Sequence, residues 1–298
     1  MKPLYWIVIF FSITSMTAKA TNEQCSHAGS KYVLKKTFTV NGRQGITTDG
    51  DYYFVSGTKS IEKYDKEGNM VLANDKPFSS QGGGLNHFGD LSSSGGLLYL
   101  GAELFEDGKA RNLNISVYDA DSLKFIKNIP LDAASAQNEI SAVSVDKDSK
   151  TFWASSWGDD ESSGYVYQYS MDDGHFIQRL KLLPKLKFIQ GIDYVDGNLF
   201  ITTDDGLADK KESDSLYKVN IKQALSQSGE NSELQYKFTD FADFGEIEGV
   251  NVLNGELLVL NNRGMQIEKG IPKNPYPGYK KEISEIYIYD VKLGCVIK

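Results

Sequence analysis

Apolar and polar residues alternate along this chain in short runs of strand length, and the runs recur in a fixed order. A small residue opens a half-polar strand, a tight Gly/Asp turn follows, and a more hydrophobic strand returns. The copies read Gly45-Ile-Thr-Thr-Asp-Gly-Asp-Tyr-Tyr-Phe-Val-Ser, Gly89-Asp-Leu-Ser-Ser-Ser-Gly-Gly-Leu-Leu-Tyr-Leu-Gly and Ala142-Val-Ser-Val-Asp-Lys-Asp-Ser-Lys-Thr-Phe-Trp-Ala-Ser. Two more are Gly191-Ile-Asp-Tyr-Val-Asp-Gly-Asn-Leu-Phe-Ile-Thr-Thr and Gly249-Val-Asn-Val-Leu-Asn-Gly-Glu-Leu-Leu-Val-Leu-Asn. They start about 44 to 58 residues apart, which is the period of a propeller blade.

Each copy runs on into further alternating stretches. Third strands are predicted at Ser60-Ile-Glu-Lys-Tyr-Asp, Asn114-Ile-Ser-Val-Tyr-Asp, Tyr165-Val-Tyr-Gln-Tyr-Ser, Ser215-Leu-Tyr-Lys-Val-Asn and Glu285-Ile-Tyr-Ile-Tyr-Asp. Fourth strands include Phe125-Ile-Lys-Asn-Ile, Phe176-Ile-Gln-Arg-Leu and Leu234-Gln-Tyr-Lys-Phe, and Lys222-Gln-Ala-Leu-Ser-Gln reads as one short helix. The pattern predicts an all-β fold: a five-bladed β-propeller of four-stranded antiparallel blades, one domain over residues 21–298.

The fifth copy is short of strands, since only Cys295-Val-Ile-Lys remains for its fourth. Tyr32-Val-Leu-Lys-Lys-Thr-Phe-Thr-Val, ahead of the first copy, is a strand without a blade. Placing it in or beside the fifth blade closes the ring through N- and C-terminal strands. Cys25 and Cys295 then stand close enough for a disulfide clamp, worth on the order of 4–5 kcal/mol for so long a loop.

Residues 1–20 read as a signal peptide: Lys2, an apolar run from Leu4 to Phe11, and Ala18-Lys19-Ala20 before the cut. The run is short for a membrane span. The expectation is a secreted or periplasmic protein, a monomer, in an oxidising compartment that suits the disulfide. Losing Lys2 and Lys19 takes the net charge from −8 to about −10. So acidic a chain has no general attraction for nucleic acid or anionic lipid. The partner classes left are a small molecule, a carbohydrate or a protein.

Blade topology gathers two sets of residues on one rim: those just before each inner strand and those just after each second strand. Before the inner strands come Arg43-Gln44, Asn86-His87, Asn138-Glu139, Gln190 and Glu246-Ile-Glu248, with Asp90 and Asp193 on the strands themselves. After the second strands come Glu103, Trp157, Asp204-Asp205 and Asn261-Asn262-Arg263. The longest connections, 102–113, 157–164, 204–214 and 262–284, also fall on this rim, where a rigid scaffold usually carries its function. His87, Asp90 and Glu139 are the candidates for proton transfer or nucleophilic work. Gln44, Glu103, Trp157, Gln190 and Arg263 are candidate ligand contacts. Glu248, Asp204, Asn138 and Asn261 form a hard-oxygen set for Ca²⁺ or another divalent cation. A solvated polar channel with no ligand explains the same residues, and Trp157 can equally be a packing residue.

The fourth copy, Gly191-Ile-Asp-Tyr-Val-Asp-Gly-Asn-Leu-Phe-Ile-Thr-Thr, resembles the blade signature of gluconolactonase-like, strictosidine-synthase-like and NHL-type propellers. Lactonases of that group are typically six-bladed and hold a divalent cation at the axis through Glu, Asn and Asp. The resemblance implies such parts for Glu248, for Asn138 or Asn261, and for Asp204. Five-bladed arabinanase-type glycosidases place three carboxylates at the axis, as Asp90, Glu139 and Glu248 would here, but their opening Asp-Pro motif is absent. The functional expectation is an exported propeller binding a ligand on its loop-rich face over a carboxylate-lined axis. Three roles compete for it: a cation-dependent hydrolase of a lactone, ester or phosphate, a non-catalytic recognition scaffold, and a glycosidase.

Overall fold

The computed structural model describes residues 31–292, apart from 82–83, 227–228, 242–244 and 269–270. The expected signal peptide, Cys25, Cys295 and the Cys295-Val-Ile-Lys segment lie outside the described residues. Within them the alternating pattern folds as five four-stranded antiparallel sheets arranged as blades, with one small extra hairpin. The chain is a five-bladed β-propeller. The inner strands are Gly45–Thr48, His87–Ser94, Ala142–Asp146, Ile189–Val195 and Gly245–Leu253.

Ring closure takes the predicted form. In blade five the order outward is Gly245–Leu253, Glu256–Arg263, Ile283–Val291 and then Tyr32–Val40. The N-terminal strand pairs antiparallel with Ile283–Val291, from Val33 opposite Asp290 to Val40 opposite Ser284. Its backbone hydrogen bonds join the two ends of the chain. The predicted helix is present over Ile221–Ser226.

Each hydrophobic cluster belongs to the space between two neighbouring blades rather than to one blade. Phe54 and Ile61 of blade one pack with Phe88, Leu98 and Tyr118 of blade two. Around the ring the last such interface sets Ile46 and Val55 of blade one against Leu258 and Ile286 of blade five. A four-stranded sheet cannot bury both faces alone, so the ring is the smallest unit that hides them all.

The small residue that opens each repeat has a steric cause. Inner strands converge so tightly at the axis that a Cβ on Gly249 would stand 2.5 Å from both Asp90 Oδ1 and the Ile46 backbone nitrogen. One on Gly191 would stand 2.6 Å from the Val250 nitrogen. Blade three, with Ala142, admits one methyl group.

The axis itself is filled. Asp90 Oδ1 accepts N–H bonds from Ile46 at 3.1 Å and Leu91 at 2.8 Å, and Oδ2 accepts from Ile192 at 3.4 Å. One carboxylate thus ties blades one, two and four. Asp193 Oδ2 accepts from the Val252 N–H at 2.7 Å and from Asn251 Nδ2 at 3.2 Å, and its Oδ1 accepts from Ser144 Oγ at 3.1 Å. That carboxylate ties blades three, four and five. The expected polar axis exists, as a plug of satisfied carboxyl groups.

Two connections expected to be loops are structured. Second and third strands of blade two continue as Leu97–Glu106 and Lys109–Asp119, raising a hairpin arm over the rim. The 262–284 connection contains a second arm, Met265–Glu268 paired with Ile271–Pro275.

Candidate functional site

Above the plug, on the loop-rich face, lies a cavity of about 890 Å³. All five blades line it. Blade one brings Arg43 and Gln44, blade two His87 and Phe105, blade three Glu139 and Trp157, blade four Gln190 and Asp204, and blade five Glu246 and Glu248. The two hairpin arms and the turn 206–210 add an apolar upper wall through Leu207, Met265, Ile267 and Tyr276.

Of the residues predicted from sequence, Gln44, His87, Glu139, Trp157, Gln190, Asp204 and Glu248 meet in this cavity. Asp90 does not: it is fully buried in the axial plug with three amide partners. Asn138 is turned to solvent and donates to Asp160. Asn261 is buried within blade five, its amide under Gly245. Arg263 pairs with Glu285 of the next strand, Nη2 to Oε1 at 3.1 Å and Nε to Oε2 at 3.0 Å, with Tyr279 beside its guanidinium.

His87 and Glu103 form the best-organised pair. The antiparallel register sets them directly opposite, at the start of one strand and near the end of the next. His87 Nδ1 lies 3.1 Å from Glu103 Oε1, while Glu103 Oε2 accepts the Ile140 N–H at 3.0 Å. Glu103 is fully buried behind the ring, so it is a support for His87 rather than a wall of the cavity. With Nδ1 donating to that carboxylate, Nε2 is left as the imidazole's acceptor. Phe105 packs on the ring face, centroids 5.3 Å apart.

Glu139 follows from the same neighbourhood. Burial, then the nearby charges of Glu103 and Asp160, push its carboxyl up to about 8. It therefore carries a proton at neutral pH. Across the cavity Asp204 sits opposite Asp214, one step beyond the Thr203–Ser215 pair. Asp214 accepts the Gly206 N–H at 3.0 Å and the Ile247 N–H at 3.1 Å. Burial and the Asp214 charge raise Asp204 well above the usual carboxylate range.

Arg43 was legible only as a polar rim residue, yet it is the cation that meets the buried carboxyl groups of the site. Its Nη2 stands 3.3 Å from Glu246 and 3.8 Å from Glu248, and its Nε 3.1 Å from Glu282. Burial works against its charge, and Glu248, Glu246 and Glu282 more than offset that. Trp157 is 38 % exposed, lines the cavity, and packs on Phe188 with centroids 5.1 Å apart.

The divalent-cation set does not assemble as predicted. Glu248 and Asp204 reach the cavity, whereas Asn138 and Asn261 do not. Among the described residues no three His, Cys, Asp or Glu side chains stand together as a metal-holding group. A dication would also face the Arg43 guanidinium beside Glu248.

No protein-family model matches this chain, and no curated protein matches it. Among solved structures it is similar to Kuenenia stuttgartiensis hydrazine synthase at 15% sequence identity, with 88% of this chain and 67% of that chain covered and a TM-score of 0.44. A likeness at that level carries nothing about chemistry. Among the described residues no helix is long and apolar enough to cross a membrane.

Proposed function

We propose that this chain is an exported small-molecule hydrolase whose cavity binds an organic ester or lactone and uses His87 as general base and Glu139 as general acid. The observation that carries the reading is the Ile140–Glu103–His87 line. A buried carboxylate, pinned by a backbone amide, holds the imidazole of a residue that lines the cavity. That is the arrangement base catalysis needs, because the ring is fixed in one tautomer and orientation.

In the step so supported, Nε2 takes a proton from water as the water oxygen attacks the carbonyl carbon. The C–O bond to the leaving group breaks, and Glu139, protonated at neutral pH, gives its proton to the departing oxygen. His87 then returns its proton to Glu139 through solvent. The side-chain amides of Gln44 and Gln190 are within the cavity and can donate to the developing oxyanion. No metal takes part in this account.

The test is turnover of p-nitrophenyl butyrate and of δ-valerolactone by the mature protein, with His87→Ala beside it. Loss of about 10²-fold or more in kcat in the variant is the expected result. No turnover by the parent protein, or turnover that His87→Ala leaves unchanged, would sink the hydrolase and leave a recognition scaffold.

A further inference from the structure

The floor of the cavity holds an anomaly that hydrolysis does not use. Glu248 is only 2 % exposed. Its Oε1 accepts from Asn262 Nδ2 at 2.7 Å, but its Oε2 has no hydrogen-bond partner. Burial, then the charge of Glu246, pushes this carboxyl well above the usual carboxylate range, so an unpaired buried oxygen here is costly to leave ionised until a cation reaches it. The charges around it are unbalanced in the same sense. Arg43 is shared among Glu246, Glu248 and Glu282, so one cation faces three carboxylates, and Asp204 lies close by. The geometry lacks a hydrogen-bond donor with positive charge at one defined point.

We infer that the ligand of this cavity carries an ammonium group, and that this group docks on Oε2 of Glu248 while its apolar body lies against Phe105, Trp157, Met265 and Tyr276. An ammonium supplies both missing properties, since it donates hydrogen bonds and brings a single positive charge. A hard divalent cation suits the place less well. It needs six or more oxygens, and one Glu248 oxygen is already held by an amide N–H. Its repulsion from Arg43, 3.8 Å from Glu248, is also twice that of a monocation. The apolar walls match an organic body, which a bare metal ion does not have. The inference rests on the cavity as a ligand site but not on catalysis there. Where the cavity is also catalytic, it favours amine-bearing esters or lactones over neutral ones without requiring the amine for turnover.

The test compares two probes of equal size on the unmodified mature protein, n-hexylammonium chloride and 1-hexanol, by isothermal titration at pH 7. Hexylammonium is expected to bind about tenfold or more tightly than hexanol, the worth of a charge-assisted hydrogen bond. In Glu248→Gln the two probes are expected to bind within about threefold of each other, and retained hexanol binding shows that the variant is folded. Equal affinities in the parent protein, no binding of either probe at millimolar concentration, or a preference that survives Glu248→Gln would each overturn the inference. So would CaCl₂ that binds and displaces hexylammonium competitively, which would make the site a metal site. Absence of any ester turnover defeats the hydrolase without touching this result, and loss of the ammonium preference leaves the His87 experiment standing.

Discussion

Asp90→Ala should unfold this protein far more readily than it should alter the cavity. The carboxylate is an internal tie: Oδ1 takes two backbone N–H groups, from Ile46 at 3.1 Å and Leu91 at 2.8 Å, and Oδ2 takes a long third from Ile192 at 3.4 Å. Alanine strands the two well-formed donors in a place without water. At about 1–3 kcal/mol for each unsatisfied donor, the loss is about 2–6 kcal/mol. That is a large share of a typical stability of about 5–15 kcal/mol. Asparagine keeps an oxygen for the Oδ1 pair and turns an NH₂ toward the weaker Ile192 donor, so Asp90→Asn should cost only about 1–2 kcal/mol. Burial raises the Asp90 carboxyl well above its usual range, which lowers the cost of replacing its charge with a neutral amide. Urea unfolding followed by tryptophan fluorescence gives both values, read as shifts in midpoint at constant slope. Equal costs for Ala and Asn, or a cost below about 1 kcal/mol for Ala, would refute the account of the plug.

Gly249→Ala should cost about 3 kcal/mol or more, because its Cβ would meet Asp90 and Ile46 at 2.5 Å; Gly255→Ala, at a turn with φ 81° and open space, should cost only about 1–2 kcal/mol, and thermal melts showing the reverse order would contradict the steric argument. Glu103→Gln should lower kcat about tenfold or more with little change in KM, since it loosens the support of His87 and leaves the cavity wall in place; a change confined to KM would count against that role. Glu139→Gln should change how stability depends on pH. The folded-state value is raised from 4.5 to about 8, so the parent's share of stability from this group is full below about 4.5 and is lost as pH rises through about 8. The variant should therefore gain on the parent across that window, by on the order of a few kcal/mol at its top, and parallel pH profiles from urea titrations would refute the assignment.

The repeat pattern carried the architecture because blade formation is a local matter. Tyr53–Gly57 and Ser60–Tyr64 are buried on both faces because neighbouring blades cover them, which is why their residues run strongly to strand formers, and the Gly/Asp turns follow from the tightness of the hairpin. The N-terminal strand was placed by counting alone, since blade five lacked a partner for Ile283–Val291. The cavity was partly legible for the same reason: topology fixes which positions reach the rim, and seven of the predicted residues do line it. Reach along the strand was not legible. Asp90 and His87 are three residues apart on one inner strand, yet the bulge between Phe88 and Leu91 and the taper of the ring send one into the plug and the other into the cavity. Charge pairing was not legible either. Arg43 and Arg263 both precede or follow rim strands, and only the crossing between blades five and one decides that Arg43 meets Glu246 and Glu248 while Arg263 meets Glu285.

The number of blades has a consequence for function that composition alone would not give. With five blades the inner strands approach until glycine is required at four of the five crossing points, and the remaining space is filled by Asp90 and Asp193. Both carboxyl groups are spent on backbone amides, and burial pushes Asp193 up to about 7 even so. The axis is therefore a barrier beneath the cavity. Polar groups at the closed end, Glu248 above all, meet a ligand only after its apolar part has left water, where a charged hydrogen bond discriminates most strongly. Selectivity for charge at the floor and tolerance of shape at the mouth follow from that geometry.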